Sequence, residues 1–276
     1  MIIETLSTFP LMYESVMGSS MMKRARERGI IDFTAYDLRD WTHDRHRTTD
    51  DDPYGGGAGL VMRCEPIYEA VDALCGRPAP EGVVTGREQP LTGPAPQHPQ
   101  GPAPTTVFLT PCGRRFDDAL ATELAGCERL LFVCGHYEGI DERAYDLADY
   151  QVSLGDYVLT SGELASMVVI DAVVRKLDGV LGAPDGATDE SFVEGLLEAP
   201  QYTRPAVFRG REVPAVLLSG DHGAVARWRR EQSLARTAAL RPDLLCQAPL
   251  TPADRSFLDS CASSGADPAA HGIIFR

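Results

Sequence analysis

The stretch Ser153-Leu154-Gly155-Asp156-Tyr157-Val158-Leu159-Thr160-Ser161-Gly162-Glu163-Leu164 decides how this chain is read. Two glycine-bearing turns bracket a tyrosine and an apolar pair, directly before an apolar helical run. Gly155 and Gly162 permit tight turns or close backbone approach, Tyr157 offers a flat face, and Glu163 suits the first turn of the helix that follows. A loop of this kind suits an adenosine-sized ligand. Taken alone, it is equally an ordinary connection from a strand to a helix.

Two further stretches, Leu109-Thr110-Pro111-Cys112-Gly113-Arg114-Arg115 and Cys134-Gly135-His136-Tyr137-Glu138-Gly139-Ile140-Asp141-Glu142-Arg143, each follow an apolar run, Thr106 to Leu109 and Leu130 to Val133. Both read as loops at the carboxyl ends of strands, where open α/β sheets bind ligands, so the three loops outline one pocket. Strand-like runs (Ile2 to Phe9, Ile31 to Tyr36, Thr105 to Leu109, Leu130 to Cys134) alternate with helical ones (Leu11 to Arg28, Pro66 to Leu74, Phe116 to Ala125, Glu163 to Leu177). That rhythm predicts an α/β fold, a parallel sheet with crossover helices.

Composition sets wider bounds. A chain of 276 residues, 43% hydrophobic, can bury one substantial core and a smaller second one. No stretch approaches the ~20 apolar residues of a membrane span. Met1 leads into the strand-like Ile2-Ile3-Glu4-Thr5-Leu6 rather than a signal peptide, so the expectation is a cytoplasmic protein with no membrane partner. Seven cysteines (64, 75, 112, 127, 134, 246 and 261) form no Cys-x-x-Cys pair and read as reduced and mostly buried, with no metal site.

The net charge of −14 opposes a nucleic-acid partner in total but not in distribution. Gln201 to Arg241 carries eight arginines against three acids, whereas Asp117 to Glu163 carries eleven acids against Arg129 and Arg143. The basic footprint is local. Its plain alternative is a solvated helix whose Arg227, Arg229, Arg230 and Arg236 face water.

Residues 76–104 hold eight prolines and five glycines in 29 positions and cannot pack a core, which predicts a disordered surface insertion. Residues 181–192 again have linker composition. The chain thus divides into a domain over 1–180, a linker over 181–192, and an Arg-rich helical domain over 193–276.

The three loops, together with His43-Asp44-Arg45-His46-Arg47, Pro53-Tyr54-Gly55-Gly56-Gly57-Ala58-Gly59 and Pro200-Gln201-Tyr202-Thr203-Arg204-Pro205, closely resemble the bacterial tRNA (guanine-37-N1)-methyltransferase family, TrmD, of the SPOUT class. The resemblance covers roughly residues 1–75 and 105–245 in the same order. It implies a SPOUT-type parallel sheet with a deep trefoil knot, a small C-terminal α-helical domain, and a homodimer whose active sites take residues from both subunits. It implies S-adenosylmethionine as cofactor, tRNA as substrate and Mg2+ as a candidate accessory ion. By the same resemblance Leu109, Thr110, Pro111, Gly113, Gly135, Tyr137, Glu138, Gly139, Leu154, Gly155, Asp156, Tyr157, Val158, Leu159 and Gly162 hold the cofactor. His46, Tyr54, Gly55, Gly59, Ser191, Arg204, Arg227 and Arg230 contact the RNA.

Methylating guanine N1 requires a base to remove its proton and a donor to steady charge on O6. The family's arginine maps onto Arg175. Its Asp-Ser-Phe is here Glu190-Ser191-Phe192 with Asp189 one position earlier, so the base is Glu190 or, with a slipped linker, Asp189. Other departures are His136 where the family commonly has arginine, Ser161 for a glycine and Ala165 for a proline. His136 reads as a contact to the ligand or to Glu138, or as a packed, hydrogen-bonded histidine. His43 and His46 lack a third ligand and suit RNA better than a metal. Two other readings stay open: a divergent paralogue methylating another RNA or a guanine-like small molecule, and an RNA-binding homologue without catalysis.

Overall fold

The computed structural model describes residues 1–76, 101–181 and 190–263. Most of the predicted insertion, and Asp189, lie outside the described residues. The chain falls into two compact units, Met1–Gly182 and Ala183–Arg276.

The first unit is built on five strands: β1 (Ile2–Ser7), β2 (Asp32–Asp37), β5 (Thr105–Arg115), β6 (Arg129–Cys134) and β7 (Tyr150–Ser153). They form one sheet in the order β2-β1-β6-β5-β7, with every pairing parallel. A two-residue ladder of β3 (Asp50–Asp51) and β4 (Val61–Met62) stands apart. The helices are α1 (Glu14–Met17), α2 (Ser20–Glu27), α3 (Cys64–Cys75), α4 (Asp118–Ala125) and α5 (Gly162–Val174).

Both faces of the sheet are covered, as a parallel sheet demands. Along β6 every residue is buried. Leu130, Phe132 and Cys134 face one way, into a core shared with α2, α4 and α5. Leu131 and Val133 face the other, with Phe108, against α3 and the turn carrying Leu38 and Trp41. Each fully buried large apolar side chain contributes about 1.5–3 kcal/mol.

The structure departs from the sequence reading in several places. The expected helix over 11–28 is broken into a 3-10 turn (Pro10–Tyr13), α1 and α2, because Gly18 closes α1 and Ser20 sits at φ 48. β5 does not stop at Leu109 but runs to Arg115. β7, only four residues long, carries no apolar run to announce it. Of the seven cysteines only Cys134 is buried, while Cys112 and Cys246 are exposed; all are free thiols. Burial pushes the Cys134 thiol up to about 12, so it stays protonated.

A charged pair lies inside this core. Arg129 and Glu4 are almost fully buried, with Nε donating to Oε2 at 2.8 Å and Nη2 to Oε1 at 3.2 Å. Tyr36 donates to the same carboxylate at 3.2 Å. Arg129 also donates to the carbonyls of Leu74 (3.0 Å) and Pro102 (3.2 Å), the two ends at which residues 77–100 leave and rejoin the described chain. Arg129→Met leaves Glu4 as an uncompensated buried charge and is expected to cost about 3–5 kcal/mol in denaturant unfolding. A loss below about 1 kcal/mol would show that the pair carries little.

The second unit contains a hairpin of β8 (Val207–Phe208) and β9 (Arg211–Glu212), then α6 (Ala215–Leu218), α7 (His222–Leu240), α8 (Pro242–Leu245) and α9 (Pro252–Ser263). The hairpin was not expected. Its turn places Arg209 (φ 53) and Gly210 (φ 74) both at positive φ, the pattern of a two-residue hairpin turn. Arg230 ties α7 to α9: its guanidinium donates to Asp254 at 3.2 and 3.0 Å and to Glu194 at 2.9 Å. These hydrogen bonds hold the Asp254 carboxyl down at about 2.

Candidate active site

The pocket of the first unit lies at the carboxyl ends of β5, β6 and β7. Its first wall is a bulge rather than a loop. Leu109 and Arg114 both pair with Val152, so Thr110 to Gly113 are squeezed out of the ladder while pairing resumes on the far side. Leu109, Thr110 and Pro111 reach the pocket. Gly113 instead lies against backbone, where a Cβ would be 2.4 Å from the Val152 nitrogen.

The second wall is the turn after β6 and the third is the run from β7 to α5, and the two meet backbone to backbone. Gly162 donates its N–H to the Gly135 carbonyl at 2.7 Å, and His136 bridges Ser161. A Cβ at Gly162 would stand 2.7 Å from the Gly135 nitrogen and 2.9 Å from the Cys134 Cα. Only glycine permits that approach. From these walls Gly135, Tyr137, Glu138, Gly139, Leu154, Tyr157, Val158, Leu159 and Gly162 line the pocket. Gly155 and Asp156 do not. Gly155, at φ 148, turns the chain behind Tyr157.

His136, for which a ligand contact was one reading, lines the pocket, as do Thr160 and Ser161 of the third loop; sequence reasoning missed Tyr145, Val152, Ser153 and Ala165. Val152 comes from β7, which only its pairing with β5 reveals. Tyr145 comes from the 3-10 turn Glu142–Leu147, which no motif announces.

His136 does not face Glu138, as one reading expected. Its ring packs between Phe9 (4.7 Å) and Tyr137 (5.0 Å), with Nδ1 3.7 Å from Glu163 Oε2. Glu163 is fully buried and accepts the Ser7 hydroxyl at 2.5 Å through Oε1. Oε2, His136 Nδ1 and Ser161 Oγ are buried without a hydrogen-bond partner among the described residues. Glu163 was read as a helix-start residue, which it is, but its carboxylate also forms a polar corner beside the pocket.

Glu138 packs on the glycine-rich segment instead. Its N–H donates to the Leu60 carbonyl at 3.0 Å, and Met62 donates to the Gly139 carbonyl at 2.9 Å. A Cβ at Gly59 (φ 89) would fall 2.4 Å from the Glu138 side chain, so this cofactor candidate and this RNA candidate sit together. Gly55 (φ 90) and a fully exposed Tyr54 continue the segment. His46 is exposed on a loop held by Asp44, whose carboxylate accepts from Thr48 N (2.9 Å), Thr48 Oγ1 (2.8 Å) and His46 N (3.0 Å). Hydrogen bonding to Thr48 holds that carboxyl at about 2. His43 bonds Glu69 at 2.6 Å rather than pairing with His46. Among the described residues no three His, Cys, Asp or Glu side chains converge to hold a metal ion.

Arg175 caps the carboxyl end of α5 and is half-buried. In the second unit Glu190 is half-buried, and Ser191 Oγ accepts the Glu198 N–H at 3.0 Å. Arg204 and Arg227 are exposed. Arg230, expected at the RNA, has its guanidinium engaged by Asp254 and Glu194.

No helix of the described residues is long and apolar enough to cross a membrane. The family model for tRNA (Guanine-1)-methyltransferase TrmD matches residues 1–247. A tRNA (guanine-N(1)-)-methyltransferase of Desulforudis audaxviator is 48% identical over 262 residues, covering 95% of this chain and 96% of the relative. Proteins of the same description from Geobacter sulfurreducens (47%, covering 92% and 95%) and Moorella thermoacetica (46%, covering 93% and 95%) are comparably similar. With most of its length matched by the family model, and relatives near half-identical across almost their whole span, the chain belongs to the tRNA (guanine-1)-methyltransferase TrmD family.

Proposed function

We propose that this protein transfers a methyl group from S-adenosylmethionine to N1 of guanine 37 in the tRNA anticodon loop. The observation that carries the reading is the convergence of three backbone-rich walls on one pocket, in a chain matched over residues 1–247 by the methyltransferase family model. The residues present suit the cofactor. Leu109, Val152, Leu154 and Ala165 offer apolar surface to an adenine, Tyr157 a flat face, and Ser161 Oγ an unsatisfied polar atom in the lining, with Glu163 Oε2 buried beside it. When bound, the cofactor supplies an electrophilic methyl group on its sulfonium.

The protein's own part is to orient the base and move one proton. In this reading the carboxylate of Glu190 accepts the proton from guanine N1 as the N1–methyl bond forms, and Arg175 donates to O6, where negative charge develops. S-Adenosylhomocysteine leaves. Asp189 remains the alternative base if the linker is shifted by one. Gly55 and Gly59 give the backbone freedom to lie beside the substrate, with Glu138 behind Gly59.

The reading includes a trefoil knot formed by the three walls and a homodimer with shared sites. The interlocked approach of Gly162 to Gly135 supports the first. Exposed Leu11, Val16, Leu164 and Val168 support the second, since Tyr13 and Ser166, bonded at 2.7 Å, bring their two elements side by side. It also includes cytoplasmic residence, where tRNA is processed, a tRNA-binding C-terminal domain, and Mg2+ as an accessory ion to which no residue is assigned.

A methylation assay on unmodified tRNA, with guanine 37 replaced by adenine as control, tests the reading. Methyl incorporation at position 37, abolished by the replacement, is the expected outcome. Incorporation that survives the replacement, or none on any tRNA, would overturn it.

A further inference from the structure

A second cavity lies wholly within the C-terminal unit. It is walled by the loop Pro200 to Ala206, by α6, and by the first turns of α7. Leu217, Leu218 and Val225 give it an apolar floor, while Tyr202, Arg204 and Arg229 stand around it. The Tyr202 ring lies 6.3 Å from that of Trp228, tilted by 53°.

The arginines of α7 sort by face. Arg230 lies in line with Leu234 and Thr237, both buried, and its charge is met by Asp254 and Glu194. Arg236 donates to the Glu198 carbonyl at 3.1 Å. Arg229 is one position before Arg230, about 100° round the helix, on the row of Val225, and so turns into the cavity. Arg204 arrives there from the loop. Neither Arg204 nor Arg229 makes an ion pair or hydrogen bond with another described residue.

Two exposed arginines without an acidic partner among the described residues line one cavity in a chain of net charge −14, an arrangement suited to an anion. The apolar floor and Tyr202 call for a flat, largely apolar group attached to it. We infer that this cavity is a subsite for one unstacked nucleotide of the RNA substrate, with its phosphate on Arg204 and Arg229 and its base against Tyr202. Single-stranded RNA is recognised in this way, by stacking on aromatic rings and by arginine at the backbone. The inference deepens the proposed function and rests on it. Within the basic footprint read from the sequence it selects Arg204 and Arg229, and leaves Arg230 to its acidic partners.

The test uses the full chain and unmodified tRNA, comparing the parent protein with Arg204→Gln/Arg229→Gln and with Tyr202→Ala. Loss of two phosphate contacts is expected to lower the log-log salt slope of tRNA binding by roughly 1.4 and to raise KM for tRNA by at least about 10-fold. Turnover at saturating tRNA and affinity for S-adenosylmethionine should hold within about 2-fold. Tyr202→Ala should raise KM by about 5- to 100-fold with the salt slope unchanged. Arg204→Lys/Arg229→Lys, which keeps both charges, should restore the slope and so separates charge loss from misfolding. Trp228 reports ligand entry by fluorescence, with guanosine monophosphate and an anticodon stem-loop as probes. Quenching at lower concentration by the stem-loop supports an RNA site; equal or tighter binding of the free nucleotide would overturn it. If the parent protein methylates no tRNA, the proposed function fails. If it does, and the glutamine variant keeps its KM and salt slope, the subsite alone fails.

Discussion

Replacing Glu190 by glutamine is expected to lower turnover on guanine 37 by ~10²–10⁴-fold, the range of a positioned general base, with tRNA binding little changed. Glutamine keeps the size and hydrogen bonding of the side chain and removes only its basicity. Guanine N1 carries a proton at neutral pH, so without a base the attacking lone pair is not free. Asp189→Asn should then be nearly silent. Glu190→Asp is the finer probe: drawing the carboxylate back by about one methylene can cost ~10²-fold, so a strong loss would show a pocket adapted to glutamate. Single-turnover methylation with saturating tRNA separates these cases. A dead Asp189→Asn beside an active Glu190→Gln would show a linker shifted by one residue. If both variants keep full activity, neither carboxylate is the base.

The difference between what was legible in the sequence and what was not follows from the range of the interactions involved. Period and apolar runs are local, so β1, β2, β6, α3, α4 and α5 could be read within a few residues of their ends. β7 could not, because Tyr-Gln-Val-Ser owes its strand to pairing with β5 and not to its own composition. The bulge in β5 was invisible for the same reason: only the partner strand shows that Leu109 and Arg114 share Val152. Most residues of the candidate pocket came from glycine-bearing loops at strand ends, where a backbone requirement leaves a mark on the sequence. Tyr145 left none, since a tyrosine in a 3-10 turn is unremarkable until the turn is folded over the pocket.

Charge was the least legible property. Arg129 looked like one of two stray cations in an acidic stretch, and it is the buried partner of Glu4, 125 residues away in sequence. Arg229 and Arg230 were indistinguishable as letters. Helical geometry turns one inward to Asp254 and sets the other on the lining of an open cavity, so adjacent identical residues have different surroundings. The departures His136 and Ser161 were each noted singly; their bridge across the pocket wall, beside buried Glu163, makes them one local unit.

Gly155→Val is expected to abolish measurable S-adenosylmethionine binding, a loss of at least about 100-fold by calorimetry, in a protein that still folds. The reason is not contact with the ligand, since Gly155 does not line the pocket. At φ 148 it occupies backbone space that L residues rarely adopt, which costs a branched residue on the order of 1–3 kcal/mol locally. Even a bare Cβ there would stand 3.1 Å from Tyr157 Cε1, and valine adds two methyls to that collision. The loop can relieve the strain only by moving Tyr157 and the Val158–Leu159 pair, all of which face the pocket. Tyr157 is half-exposed and its loop makes few bonds, so the damage should stay in the binding wall and leave the sheet intact. Tyr157→Ala provides the comparison: it removes the ring without bending the backbone and should weaken binding less than Gly155→Val. A cooperative thermal unfolding transition near that of the parent would confirm that the variant is folded. If such a folded Gly155→Val protein binds the cofactor undiminished, the third wall does not hold it, and the site must be sought away from the run Leu154 to Gly162.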